Sequence, residues 1–391
     1  MQNIFPLVQR EKERLVALRR DLHRIPETAF TEEKTAAYIT AYLQREGFAV
    51  ETGIARYGVV AHLQTGRPGP TLMIRADMDA LPITEETGLP FASTHSGRMH
   101  ACGHDAHMAM LLVTASLLQR MQEGLRGHVK FIFQPAEEGP GGANPMIEQG
   151  VLDNPTVDYA LGCHLWPESP QGTIGVRSGP VMAAMDHFDL TVTGKGGHGA
   201  MPHHCVDPID TGAQIVNALQ RIVSRHQNPL TPAVVTIGRF NAGSAPNIIP
   251  DKARLSGTAR TFDETTWMSL KNRIESIVAG VCRSMGADYA LQYTRGYPPT
   301  INDEAVSDTV RRCARAVVGE SRVVVPEPSM GSEDMAFFLQ RTKGCFYFIG
   351  TGREGGAPVH NPHFDFNEEV MLLGVETHCR AAMALLGRRD S

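Results

Sequence analysis

The sequence predicts an α/β protein built on a mixed, mostly parallel sheet wrapped by helices, with a ferredoxin-like α+β domain inserted into it. Three observations carry that expectation. At 391 residues the chain is longer than one hydrophobic core usually supports, which favours two domains. Nearly apolar segments such as Thr71-Leu-Met-Ile-Arg-Ala76 alternate with helical stretches, the pattern of strands covered on both faces. Beyond Val181 the texture becomes β-α-β-β-α-β, and α/β texture resumes at Tyr297. The expected boundaries are residues 1–183 and 296–391 for the outer domain and 184–295 for the insert.

In chain order, Leu7, Leu15, Leu18 and Leu22 recur at near-helical spacing and predict a first helix from Pro6 to Ile25, ended by Pro26. A second is expected from Thr31 to Glu46, closed by Gly47. Strands are expected at Phe48–Val50, Gly58–Leu63 and Thr71–Ala76. A helix predicted from His104 to Gln122 leads to a buried strand at His128–Phe133, and Tyr159-Ala-Leu-Gly-Cys-His164 opens another. In the insert, predicted strands at His187–Thr193, Ala233–Phe240, Ala253–Phe262 and Tyr289–Thr294 accompany predicted helices at Asp207–Arg225 and Glu264–Met285.

Composition narrows the function. A net charge of −5 and no long basic run leave no nucleic-acid footprint. No apolar run is long enough to span a bilayer. Seven scattered cysteines without a CxxC pair fit a reducing compartment, so a cytoplasmic location is expected.

The densest chemical signal is Met99-His-Ala-Cys-Gly-His-Asp-Ala-His107, at a loop running into a helix. Thiolate and imidazole together suit a borderline-soft cation such as zinc. Cys102 and His104 are two apart, so an extended loop would point both to one side. Phe131-Ile-Phe-Gln-Pro-Ala-Glu-Glu-Gly139 delivers two adjacent carboxylates to the carboxyl end of a strand, where open α/β sheets bind ligands. One glutamate could bind metal and the other act as general base. His164 arrives at the end of another apolar strand, and Asp77 and Asp79 follow a third. Each alone reads as an ordinary turn or structural residue; their repetition along one rim does not. In the insert, His198 lies in the glycine-rich Val192-Thr-Gly-Lys-Gly-Gly-His-Gly-Ala-Met-Pro202, where glycine lets backbone approach a ligand.

Together these segments resemble the M20 metallopeptidase family, in its amidohydrolase branch of hippurate, N-acyl-L-amino acid and auxin–amino acid conjugate hydrolases. The resemblance spans Arg20-Asp-Leu-His-Arg-Ile-Pro-Glu27, Arg75-Ala-Asp-Met-Asp-Ala-Leu-Pro82, the cysteine-histidine motif, Gln134-Pro-Ala-Glu-Glu-Gly139, Gly196-Gly-His-Gly-Ala-Met-Pro-His203, Gly331-Ser-Glu-Asp334 and His360-Asn-Pro-His-Phe364. It implies a metal-dependent exopeptidase-like fold whose insert serves as lid and dimerisation domain. It implies two divalent ions per subunit, zinc or manganese foremost and cobalt or nickel as further candidates, held by Cys102, His104, Glu138, His164 and His360, with Cys102 bridging. Glu137 would be the general base, His198 an oxyanion stabiliser, and Asn247 and Arg260 holders of the substrate carboxylate. The choice of His360 over His363 rests on motif alignment alone. Where the wider family carries His-x-Asp, this chain reads Arg75-Ala-Asp77, so that ligand is missing and Asp77 is expected to orient a metal-binding histidine instead.

The implied reaction is hydrolysis of the amide bond of N-acyl-L-amino acids to a carboxylic acid and a free amino acid, by a homodimer or homotetramer joined through the insert. A metallocarboxypeptidase or dipeptidase is the alternative within the class. A metal- or ligand-binding protein without turnover is the alternative outside it, disfavoured by Glu137 beside the metal residues. The absence of Pro-Cys-x-x-Cys excludes a zinc nucleobase deaminase, and the absence of Gly-x-Ser-x-Gly disfavours a serine hydrolase.

Overall fold

A computed structural model describes residues 4–387. Two compact units divide the chain, Met1–Gly179 with Ile301–Glu327 and Asp334–Ser391 in the first, and Pro180–Thr300 with Pro328–Glu333 in the second. The helices that matter here are α1 (Phe5–Arg10), α2 (Lys12–His23), α3 (Glu33–Arg45), α4 (His104–Arg120), α5 (Pro208–Arg221), α6 (Glu264–Met285), α7 (Glu304–Val318) and α8 (Met371–Leu386). The strands are β1 (Ala49–Ile54), β2 (Gly58–Gln64), β3 (Thr71–Asp77), β4 (His128–Gln134), β5 (Tyr159–Pro170), β6 (Ala184–Thr193), β7 (Ala233–Ala242), β8 (Lys252–Thr261), β9 (Asp288–Tyr297) and β10 (Lys343–Gly352).

The first unit holds an eight-stranded sheet in the order β1-β2-β4-β3-β5-β10, extended by the two-residue strands Ile174–Gly175 and Val323–Val324. The run β4-β3-β5-β10 is parallel, while β1 and β2 are antiparallel additions at one edge. Every residue of β3 is buried, as its apolar run requires. Odd-numbered Leu161, Cys163 and Leu165 of β5 join the core shared with α4 and α8, whereas a Cβ on Gly162 would meet Phe346 and Met335 on the opposite face. Helix α4 is buried from His104 to Leu118, so its polar residues need partners inside the protein.

The leucine periodicity that predicts one N-terminal helix belongs to two. Glu11 separates α1 from α2, with its carboxylate turned inward to Arg120 at 2.7 Å and Arg14 at 3.4 Å. Val8 and Leu15, on either side of the break, enter the same core, which is why the spacing looks continuous.

The second unit carries an antiparallel four-stranded sheet in the order β7-β8-β6-β9. Buried residues alternate along β6, and its inner face packs with α5 and α6 around Phe188, Leu190, Val192, Leu219 and Leu270. Asp207 and Asp263 cap the two helices through their side chains, and Gly286 closes α6 at φ +69°. The predicted helix to Arg225 is α-helical only to Arg221 and continues as one π turn, Ile222–His226.

Candidate metal centre

Strand register builds the rim. Asp77 pairs with Gln134, and Arg75 pairs with Gly162, so Asp77, Gln134 and His164 lie at one level of the parallel sheet; His164 is not at the end of its strand as expected, because β5 continues to Pro170. The turn after β4 carries Glu137 and Glu138 to that level. Helix α4 starts there too, and Gly103 makes it possible. This residue sits at φ +88°, and a Cβ on it would come within 3.0 Å of Leu165. Cys102 and His104 therefore share a side because a left-handed residue kinks the chain between them, not because the loop is extended.

The side chains converge closely. Cys102 Sγ lies 3.4 Å from His164 Nε2. His104 Nε2 is 3.9 Å from Glu137 Oε2 and 4.0 Å from Glu138 Oε1, and His360 Nε2 is 3.1 Å from that same Glu138 oxygen. Candidate ligand atoms of Cys102, His104 and His164, of Cys102, Glu138 and His360, and of His104, Glu137 and Glu138 form three sets, each within 4.8 Å. His360 stands at φ +61°, and its N–H donates to Ala101 at 2.8 Å, which ties it beside Cys102. His363 faces elsewhere, with Nδ1 donating to Glu86 O at 3.0 Å.

Hydrogen bonding fixes which ring nitrogens face inward. A carbonyl oxygen only accepts, so Nδ1 carries the proton in His104, donating to Asp79 O at 2.8 Å, and in His164, donating to Leu165 O at 2.6 Å. Both rings thereby present Nε2 to the cluster. His104 Nε2 is buried without a hydrogen-bond partner. A buried, unpartnered imidazole nitrogen of this kind, beside a thiol and two carboxylates, fits a site for divalent cations.

Charge in the cluster is mutually sustained. Burial opposes ionisation of Glu138, yet His360 and His104 outweigh it and lower its pKa. Burial likewise disfavours the imidazolium of His104, but Asp77 and Asp79 raise its pKa to about 10. Burial, with His107 adding to it, lowers His164 to about 3, leaving a neutral ligand-like ring.

Asp77 departs from its expected role. Its Oδ1 binds His107 Nδ1 at 2.7 Å and lies 3.8 Å from His104 Nδ1, while its Oδ2 accepts from Arg75 at 2.7 Å. His107 in turn accepts from Leu165 N at 3.0 Å, so it has no nitrogen left for a cation. Asp77 orients a structural histidine, and a main-chain carbonyl orients His104. Arg75 is buried by its partners: it donates to Gln134 at 2.9 Å and to Asp334 at 2.8 Å as well as to Asp77.

Asp79 is the residue that sequence reasoning undervalued. Its two carboxylate oxygens accept the amides of Glu137 and Glu138, each at 2.9 Å, while its own carbonyl holds His104. One residue thus aligns three groups from two segments. Nothing in its sequence context beyond the rim position marks it, because main-chain partners leave no residue pattern.

Within the second unit, His198 and Asn247 share a small ribbon. His198 pairs with Ile248, and Gly199 N donates to Asn247 O at 2.9 Å. Both side chains are exposed. Arg260 lies apart from them on β8 and donates to Met330 O at 2.6 Å.

The sequence pattern of Peptidase family M20/M25/M40 matches residues 73–384. The chain belongs to that family. This M20 member is 46% identical over 302 residues to the N-acyl-L-amino acid amidohydrolase of Geobacillus stearothermophilus, covering 77% of this chain and 81% of that one. It is 40% identical over 376 residues to thermostable carboxypeptidase 1 of Saccharolobus solfataricus, covering 94% of each. Its structure superposes on the Bacillus subtilis YXEP protein, described as a dinuclear metal-binding peptidase of the M20 family, with a TM-score of 0.85. The two are 36% identical, over 97% of this chain and 99% of that one.

Proposed function

We propose that this M20 protein hydrolyses the amide bond of N-acyl-L-amino acids with two divalent cations, which Cys102, His104, Glu138, His164 and His360 would hold. The observation that carries this reading is the convergence of those five side chains, with Glu137 beside them and His104 Nε2 buried and unpartnered. Likeness to an N-acyl-L-amino acid amidohydrolase supports the substrate class.

When bound, divalent cations there would lower the pKa of a water and polarise the scissile carbonyl. The protein does the rest. Glu137 takes a proton from the attacking water and returns it to the departing amine, a positioned transfer worth on the order of 100- to 10,000-fold. His198 steadies the oxyanion, and Asn247 and Arg260 take the substrate carboxylate. A thiolate ligand favours zinc, with manganese, cobalt and nickel as the other candidates.

The second unit is proposed to join subunits into a dimer or a tetramer. The exposure of Met201, Leu230, Ile248 and Met268 there supports this, and sedimentation velocity tests it. Among the described residues no helix is long and apolar enough to cross a membrane. A cytoplasmic setting is proposed from seven cysteines, all unpaired and all but Cys205 buried.

Likeness to a carboxypeptidase favours cleavage of peptide-like substrates as the second reading. Elemental analysis of freshly purified enzyme with a panel of hippurate, N-acetyl amino acids, auxin conjugates and dipeptides separates the two. Turnover of dipeptides but not of acyl amino acids would reverse the preference. A metal-replete protein that turns over none of them would remove both.

A further inference from the structure

The turn that carries Glu137 and Glu138 is held from two sides. Asp79 takes the amides of those two residues. One position earlier, the N–H of Ala136 donates to Oε1 of Glu32 across 2.9 Å. Glu32 precedes α3, where a side chain ordinarily caps the helix, yet it makes no capping bond and its main-chain oxygen alone accepts from Ala36. The carboxyl is instead sent inward and wholly buried.

Two features make that arrangement unusual. Ala136 stands at φ +57°, a left-handed conformation that alanine keeps only when its surroundings impose it. Glu32 is buried near a second carboxylate, and burial together with Asp79 raises its pKa to about 7. Its Oε2 has no hydrogen-bond partner. A buried acid beside another acid opposes folding, so stability does not account for its presence.

We propose that Glu32 is a positioning residue for amide hydrolysis: by holding the amide of Ala136 it fixes the left-handed turn from which Glu137 and Glu138 project. This rests on the reading of Glu137 as the base. Misplacing a reacting group by about 1 Å costs on the order of 100-fold in rate, so a relaxed turn lowers turnover without touching a substrate contact.

Glu32→Met fills the same space without an acceptor, and Glu32→Gln keeps an acceptor oxygen. Both are assayed metal-loaded on an N-acyl amino acid that the wild type cleaves, with Glu137→Gln alongside. With metal saturating, Glu32→Met is expected to lower kcat by about 10- to 100-fold at unchanged KM. Glu32→Gln is expected to stay within a few-fold of wild type. In the metal-free proteins, deuterium exchange of the Gln134–Gly139 segment should rise in Glu32→Met and stay at the wild-type level in Glu32→Gln. Wild-type kcat and protection in Glu32→Met, or an equal loss in both variants, overturns the proposal. If Glu32→Met does not fold, Glu32→Gln decides: loss of kcat or of protection there overturns it, and retention of both supports it. Full activity in Glu137→Gln would remove the base assignment, whereas the exchange data would still report on the turn.

Discussion

The main-chain N–H of Leu165 donates to Nε2 of His107 across 3.0 Å. That contact separates two histidines of one motif, since His104 keeps its Nε2 for the cluster and His107 does not. His107→Asn is therefore expected to retain about two metal equivalents, the complement of a dinuclear site, and His104→Ala to retain fewer. Elemental analysis after dialysis distinguishes them; equal metal loss in both would make His107 a ligand.

Glu137→Gln should keep its metal and lose about 100- to 10,000-fold in kcat. His198→Ala should fall mainly in kcat, with roughly 3 kcal/mol of transition-state stabilisation removed. Steady-state kinetics on metal-quantified protein checks both. A change confined to KM in His198→Ala would mean uniform substrate binding instead.

Asp79→Asn leaves one oxygen to serve two amides and turns an NH2 toward the other. Metal affinity is expected to fall by about 10- to 100-fold, as for other residues that orient ligands, with kcat falling alongside. Competition with a chromogenic chelator measures the first. Unchanged affinity and turnover would show that Asp79 is only a turn residue.

His23 supplies a pH dependence. It lies 2.8 Å from Asp105 and 3.3 Å from Glu85, and although burial opposes its charge, these carboxylates raise its pKa to about 9. A folded-state pKa above the ordinary value of about 6.5 means its stabilisation is complete below that pH and is lost as pH rises through about 9. Calorimetry of metal-free protein should show Tm falling across that window, with a shallower fall in His23→Gln. Parallel slopes would count against the linkage.

Much of the architecture was legible because it is written in side-chain pattern. The apolar run of β3, the alternation of β6 and the glycine that ends α6 each carry a one-dimensional signature. The cluster was legible for the same reason, since Cys102 and His104 fall at the start of α4, Glu138 just beyond β4, and His164 within an apolar strand at the same level of the sheet. What escaped is written in the backbone. The orienting bonds of His104 and His164 go to carbonyls, and those of Asp79 and Glu32 to amides, which every residue possesses. Asp77 was expected to orient a metal-binding histidine and holds His107 instead, because the sequence alone does not say whether His104 or His107, one helical turn apart, lies nearer. The break at Glu11 was hidden by leucines that serve one core from two helices.

The pairing of β5 with β10 joins Tyr159 to Lys343 and His164 to Phe348. The strand bearing His164 therefore waits for a neighbour that the ribosome delivers only after the whole second unit has been made. Until then the earlier half remains an unfinished sheet with an open edge. Acquisition of metal is therefore expected to be among the last events in the life of the nascent chain.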